Sequence, residues 1–332
     1  MRNNILFTVL VTSVCTILFF FAGCSNKKNL PPTVKVVINT WPGLGPFYIA
    51  KEKGFDKEEG INLEVIMSEN VEARRSSLLS GEVDLVGITL DAVIVAQSNG
   101  VPMTVVGVSD MSYGGDGIIA KENIKTIADL KNKRIACPEG QPSHFFLLYL
   151  LQEENISPDE IKLVPADDGG QSAYLFTAGD VDAAVTWDPW ISKADEMTNG
   201  HVLVTTKDRP SLILGIVAAN ENKLDQKAKN ITAAMRAWYK AVEFYFKNKS
   251  DANGIMTKYY NVPIDEFSRM INGAKIMTLN ETEGIFGTES NPGSIYKLAV
   301  DANNIWLKAG VISNPVDTKN AVDWRIINEL SK

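Results

Sequence analysis

Four short segments of this 332-residue chain concentrate side chains able to hold a small polar molecule. The first is Asn39-Thr40-Trp41-Pro42-Gly43-Leu44-Gly45-Pro46-Phe47-Tyr48. Two prolines and two glycines make a stiff, shaped loop, and Trp41 and Tyr48 offer flat faces with polar tips. Either ring can instead cap a core. The second is Gly140-Gln141-Pro142-Ser143-His144-Phe145-Phe146. Pro142 suits the first turn of a helix, whose free N–H groups and positive end form an anion cradle, with Gln141 and Ser143 as added donors. An ordinary capped helix reads the same way. The third is Thr186-Trp187-Asp188-Pro189-Trp190, in which Trp187 can wall a cleft and Asp188 can face it or cap a helix. The fourth, Asp110-Met111-Ser112-Tyr113-Gly114-Gly115-Asp116-Gly117, has the glycines expected of a crossing between lobes.

The charge in these segments and beside them is acidic: Glu69, Asp91, Asp110, Asp116 and Asp188, with no arginine. A helix start can bind an anion without arginine, while carboxylates with aromatics equally suit an amine, amidine or guanidinium group. Catalytic grammar is missing. Cys137 and His144 are the only thiol–imidazole pair, and Cys137 lies in an apolar strand, where thiols are usually inert. There is no G-x-S-x-G, H-E-x-x-H or Walker pattern, and two histidines, His144 and His201, leave little for a zinc site. The expectation is a binding protein with no cofactor; a secreted enzyme using the same cleft is the alternative.

These segments need rigid elements to hold them. Val34–Thr40, Ile61–Met67, Val83–Ile88 and Met103–Val108 have strand length and β-rich composition. They alternate with helical stretches such as Asn70–Ser80 and Leu90–Ser98, which predicts a largely parallel sheet with helices on both faces. A second set follows: Gly117–Ala120, Arg134–Cys137, Lys162–Pro165 and Val181–Thr186, with helices from Pro142, Gly170 and Asp188. After Leu212–Ala218 the chain turns helical, over Ala228–Lys247 and from Ile264 and Ser294. Leu78-Leu79-Ser80-Gly81-Glu82-Val83-Asp84 is echoed by Leu175-Phe176-Thr177-Ala178-Gly179-Asp180-Val181-Asp182, a helix end, a glycine cap and a strand start each time. Two related lobes follow, lobe 1 from 34–115 and 217–332 and lobe 2 from 116–216, with crossings at 114–121 and 210–218. Ligands of open α/β sheets sit outside the carboxyl ends of strands, where Thr89 and Trp187 fall.

The N-terminus sets the compartment. Met1-Arg2, an apolar run from Ile5 to Phe21 and then Ala22-Gly23-Cys24 read as a signal peptide over 1–23 that ends on a lipidated Cys24. Residues 24–33 form a polar tether, and no later stretch reaches the roughly 20 apolar residues of a spanning helix. Net charge is −7, and losing Arg2 with the signal makes it −8, which argues against nucleic acid as a partner. Cys137 would be the one thiol left unmodified, so no disulfide forms within the mature chain.

These pieces together resemble the nitrate/sulfonate/taurine-type solute-binding proteins of ABC importers, whose relatives include binders of thiamine-pyrimidine precursors. The resemblance runs over nearly the whole mature chain, through Trp41–Tyr48 with Gly54-Phe55, Leu78…Gly81-Glu82-Val83-Asp84, Ile127–Ala136, Gly140–Leu147 and Gly179–Ala183 leading to Trp187-Asp188-Pro189. It implies an α/β fold of the second periplasmic-binding-protein class: two α/β lobes joined by two crossing strands, with a helical C-terminal part. It also implies a membrane permease and ATPase as partners, and the chain itself is expected to be a monomer. By position it carries ligand contacts to Trp41, Ser143 and Trp187. The full set of expected ligand residues is Trp41, Tyr48, Asn70, Thr89, Asp116, Gln141, Ser143, His144, Trp187 and Asp188. A sulfonate-like or zwitterionic solute leads, with a cationic or neutral nitrogen compound as the alternative.

Overall fold

The computed structural model describes residues 30–197, 200–288 and 290–332, so the expected signal segment and Cys24 lie outside the described residues. Six strands, numbered in chain order, make the first sheet: β1 (Thr33–Ile38), β2 (Asn62–Met67), β3 (Leu85–Thr89), β4 (Met103–Ser112), β10 (Leu214–Asn220) and β11 (Ala274–Ile276). Their spatial order is β11-β4-β10-β3-β1-β2. Five make the second: β5 (Asp116–Lys121), β6 (Arg134–Cys137), β7 (Lys162–Pro165), β8 (Ala183–Trp187) and β9 (Gly200–Thr205), in the order β7-β6-β8-β5-β9. Helices α1 (Pro46–Glu52), α2 (Phe55–Glu58), α3 (Val71–Ser80) and α4 (Leu90–Ser98) connect strands of the first sheet. In the second lobe lie α5 (Pro142–Glu153), α6 (Gly169–Thr177) and α7 (Trp190–Met197). The tail supplies α8 (Glu221–Lys247), α9 (Lys249–Tyr260), α10 (Ile264–Asn272), α11 (Leu279–Phe286), α12 (Ser294–Lys308) and α13 (Trp324–Leu330).

The sheets are mixed rather than largely parallel. β2-β1-β3 and β7-β6-β8 are parallel, but β10 runs antiparallel to β3 and β4, and β5 antiparallel to β8 and β9. The cause is connectivity: the chain leaves the first sheet after β4 and returns as β10, so each crossing puts a strand against the local direction. Central strands carry apolar runs because helices cover both faces. All ten residues of β4 and all seven of β10 are buried.

The echoed segments occupy equivalent places. Gly81 follows α3 at φ +80° and Gly179 follows α6 at φ +82°, each feeding a strand that pairs in parallel with its neighbour. An L side chain is strained at such φ, so glycine lets each helix turn into its strand.

Residues 113–115 and 206–213 cross between the sheets. β5 begins at Asp116, while the boundary expected at 216/217 falls inside β10. One apolar cluster joins the first sheet to the tail helices and fully buries Trp238 and Trp306. The second sheet is covered on one face by α5 and on the other by α6 and α7. Phe145 and Leu148 of α5 belong to the first cluster, so this helix packs across the lobes. Lys193–Glu266 (2.7 Å) and Arg209–Glu153 (2.6 Å) add ion pairs at the junction. Among the described residues no helix is long and apolar enough to cross a membrane.

Candidate ligand-binding site

Loop 41–45 places Trp41 at the lobe junction. A 3-10 turn over Pro42–Leu44 directs the half-buried indole so that its N–H donates to Asp110 Oδ1 (2.7 Å), while the Trp41 carbonyl accepts the Tyr260 hydroxyl (2.9 Å). Asp110 is 1% exposed and also accepts the Ser109 hydroxyl at Oδ2 (2.7 Å). Its carboxyl group occupies the space that a Cβ on Gly43 or on Gly215 would need. Burial pushes Asp110 up to about 6, against the pull of the Ser109 and Trp41 donors.

The two crossings are tied to one another. Ser112 and Thr206 hydroxyls meet at 2.7 Å, the Gly114 amide donates to Thr206 Oγ1 (2.9 Å), and the Asp116 amide donates to Ser112 Oγ (3.2 Å). Asp116 is buried and pairs in register with Trp187, the half-buried last residue of β8. Burial lifts Asp116 to about 7, with the charges of Asp110, Asp188 and Asp91 adding to it and Ser112 opposing. The Asp188 amide donates to the Gly115 carbonyl (2.8 Å), and its Oδ1 accepts from Ser192 Oγ (2.6 Å) and the Ser192 amide (3.3 Å). Its carboxylate thus serves the start of α7, and burial raises it.

Two helix starts bring polar groups with no partner. At α4, the Thr89 hydroxyl and both Asp91 carboxylate oxygens are buried and unpartnered. Burial raises Asp91 to about 6; the Thr89 hydroxyl, the Arg75 guanidinium and first-turn amides pull it back without reaching hydrogen-bond geometry. At α5, Gln141 stands at the cap position but donates through Nε2 to the Asp167 carbonyl (3.2 Å). Ser143 is fully buried and its hydroxyl has no partner. Trp306 joins these starts: its indole N–H donates to the Asp91 carbonyl (3.1 Å), and its ring packs on His144 (5.7 Å) and Phe145 (5.6 Å).

The structure therefore gathers Trp41, Asp116, Trp187 and Asp188 around the crossings, and Trp306 links Asp91, two residues after Thr89, with His144, the residue after Ser143. Tyr48 and Asn70 are placed otherwise. Tyr48 is 4% exposed and stacks on Tyr259 (4.0 Å) with Tyr260 at its edge (6.1 Å), because α1 packs its apolar side against α9. Asn70 is exposed and caps α3, its Oδ1 accepting from the Ala73 amide (2.8 Å). His144 is buried, accepts the Gly140 amide at Nδ1 (3.2 Å) and is pushed down to about 4, so its ring is neutral at physiological pH. Cys137 is fully buried and its thiol is driven well above the usual range, leaving no thiolate for that imidazole. Sequence reasoning missed Trp306 and the Ser112–Thr206 link, for which no local motif exists; Asp91 and Asp110 were visible only as acids among the candidate segments.

Two lobes that share two crossings and present unpartnered polar groups between them define a two-lobed solute-binding protein. The sequence profile of the family described as "NMT1/THI5 like" matches residues 41–252, and the chain belongs to that family. A putative aliphatic sulfonates-binding protein of Bacillus subtilis (strain 168) is 22% identical over 92% of this chain and 92% of its own length. The taurine-binding periplasmic protein of Escherichia coli (strain K12) is 26% identical over 52% of this chain and 54% of its own. The crystal structure of the periplasmic aliphatic sulphonate binding protein SsuA from Escherichia coli superposes with a TM-score of 0.75 at 18% identity, covering 90% of this chain and 99% of that one. This likeness establishes the periplasmic-binding-protein fold.

Proposed function

We propose that the chain is the lipid-anchored, extracytoplasmic solute-binding component of an ABC-type importer, and that it captures a small solute with an acidic head between its lobes. A permease and its ATPase would receive the solute. The observation that carries the reading is Ser143, whose hydroxyl is fully buried without a partner in the first turn of α5. A buried hydroxyl left alone costs free energy, so its position beside the free amides of a helix start suits an oxyanion such as a sulfonate. Relatives named for aliphatic sulfonates and taurine support that class. Contacts from both lobes would favour the closed arrangement, since a ligand shifts an equilibrium only through differential affinity. The buried Cys137 and the neutral, hydrogen-bonded His144 support binding without turnover. Asp91, Asp110, Asp116 and Asp188 favour a second reading, a cationic or neutral nitrogen compound.

The test is a thermal-shift screen of the full chain in mild detergent against alkanesulfonates, taurine, nitrate, amines, guanidines and pyrimidine precursors. Ligand at 100 times its Kd adds roughly 2.7 kcal/mol to stability and raises the midpoint. Sulfonates are expected to shift it, and Ser143→Ala to weaken them about tenfold with little change in the unliganded midpoint. A shift with amines alone, or an unchanged sulfonate affinity in Ser143→Ala, would refute the acidic-head reading.

A further inference from the structure

A cavity of about 270 Å³ opens where the lobes meet the return crossing. Leu90, Asp91 and Leu298 line it from lobe 1, Phe145 and Tyr149 from lobe 2, and Leu212 from the crossing. Its volume lies near the lower end for small-molecule sites. The cations in its wall are already engaged: Arg209 Nε donates to Glu153 (2.6 Å) and Lys297 to Asp301 (2.6 Å).

Asp91 differs from every other charged group there. It is 2% exposed, and neither carboxylate oxygen has a hydrogen-bond partner. The neighbouring Thr89 hydroxyl is equally buried and equally alone. Arg75 is the nearby cation, but it donates to Glu72 (2.5 Å) and to the Ala92 carbonyl (3.3 Å). Asp110 and Asp188 stand near enough for their charges, with that of Asp91, to act on Asp116. A carboxylate in the first turn of a helix gains from the helix dipole, yet that role needs no burial. Buried charges are ordinarily paired, and an unpaired one in a cavity wall marks the place of a counter-ion.

We infer that Asp91 is the seat of a cationic nitrogen on the solute, an ammonium or amidinium group, and that the solute carries this group together with an acidic head. The inference rests on the reading of Ser143 as the head site and narrows the substrate class to zwitterions. Asp110, Asp116 and Asp188 reinforce the seat by repelling anions from it, while Thr89 supplies a hydroxyl acceptor beside Asp91.

Calorimetric titration of the full chain with taurine, ethanesulfonate and ethylamine separates the two ideas, since taurine is ethanesulfonate with an amino group added. Taurine is expected to bind at least about tenfold tighter than ethanesulfonate, and Asp91→Asn to remove that preference while sparing ethanesulfonate. Equal affinity for both sulfonates overturns the cation seat and leaves the head site standing. Binding of ethylamine with neither sulfonate upholds the seat and overturns the head site. A taurine preference that survives Asp91→Asn overturns the assignment to Asp91, and silence from all three probes overturns both ideas. Should Asp91→Asn not fold, the two sulfonates on the unaltered chain still decide whether the amino group counts.

Discussion

Asp110 shows how single residues make this junction. Its carboxyl group fits only because Gly43 and Gly215, from two distant parts of the chain, both lack a Cβ there. Trp41, 69 residues away in sequence, then supplies the donor that keeps the buried acid satisfied. The aromatic loop was legible as a shaped feature, but its partner was not, since no local pattern ties residues so far apart. Asp91, Asp110 and Asp116 are raised to about 6, 6 and 7 from an ordinary value of 3.8. A carboxyl group raised on folding contributes stability that is fully present below its unfolded value and is lost as pH rises through its folded value. Each of these acids accounts for on the order of a few kcal/mol. Glu59, Asp182 and Glu281 are lowered and act in the opposite sense in more acidic solution. The thermal midpoint should therefore peak near about pH 4 to 5 and fall toward pH 8, and Asp110→Asn should make that fall shallower. A midpoint that climbs from pH 5 to pH 8 would contradict the burial of these acids.

Elements with continuous apolar runs were legible in the sequence. The strands near Met103 and Arg134 and the helices from Leu90, Pro142, Ile264 and Ser294 begin where composition and proline placed them. Edge strands were legible only in part: Ile61–Met67 and Lys162–Pro165 were expected as strands, whereas β9 and β11 were not. β9 lies at the margin of its sheet and is mostly half-buried, and its apolar run is only the three residues Val202-Leu203-Val204. α8 starts at Glu221, earlier than expected, because its first two turns are largely polar and are held by the Asn220 cap and the single buried Leu224. α9 contains Ser250, Asn253 and Gly254, poor helix formers that tertiary contact overrides as Tyr259 and Tyr260 pack on Tyr48. Two glycines test this contrast. Gly179 has φ +82° with open space around its Cα, so Gly179→Ala should cost about 1–2 kcal/mol in chemical denaturation from backbone strain alone. Gly254 has equal space inside a helix, so Gly254→Ala should stabilise by about 0.5–1 kcal/mol. The same sign for both would show that something other than backbone conformation decides these sites.

For the whole molecule, two lobes and a helical tail were legible because strand–helix alternation and one internal echo describe them. Strand direction was not, because the crossings reverse it. The proposed anchor is tested on the full chain: Cys24→Ser should shift the protein from the membrane to the soluble fraction, and persistence in the membrane would refute lipidation there. The Ser112–Thr206 link has a kinetic consequence. It joins outgoing and returning chain at one point, so a rotation of one lobe against the other would turn about that link. Asp116, whose amide is bonded to Ser112, would then stay nearly stationary, while Ser143 follows β6, two strands over and roughly 10 Å from β5 by ordinary strand spacing. A solute held as proposed would meet one fixed end and one travelling end. On the proposed reading, release of such a solute would then depend on how readily the Ser143 end lets go, and association and release would report on different halves of the same cleft.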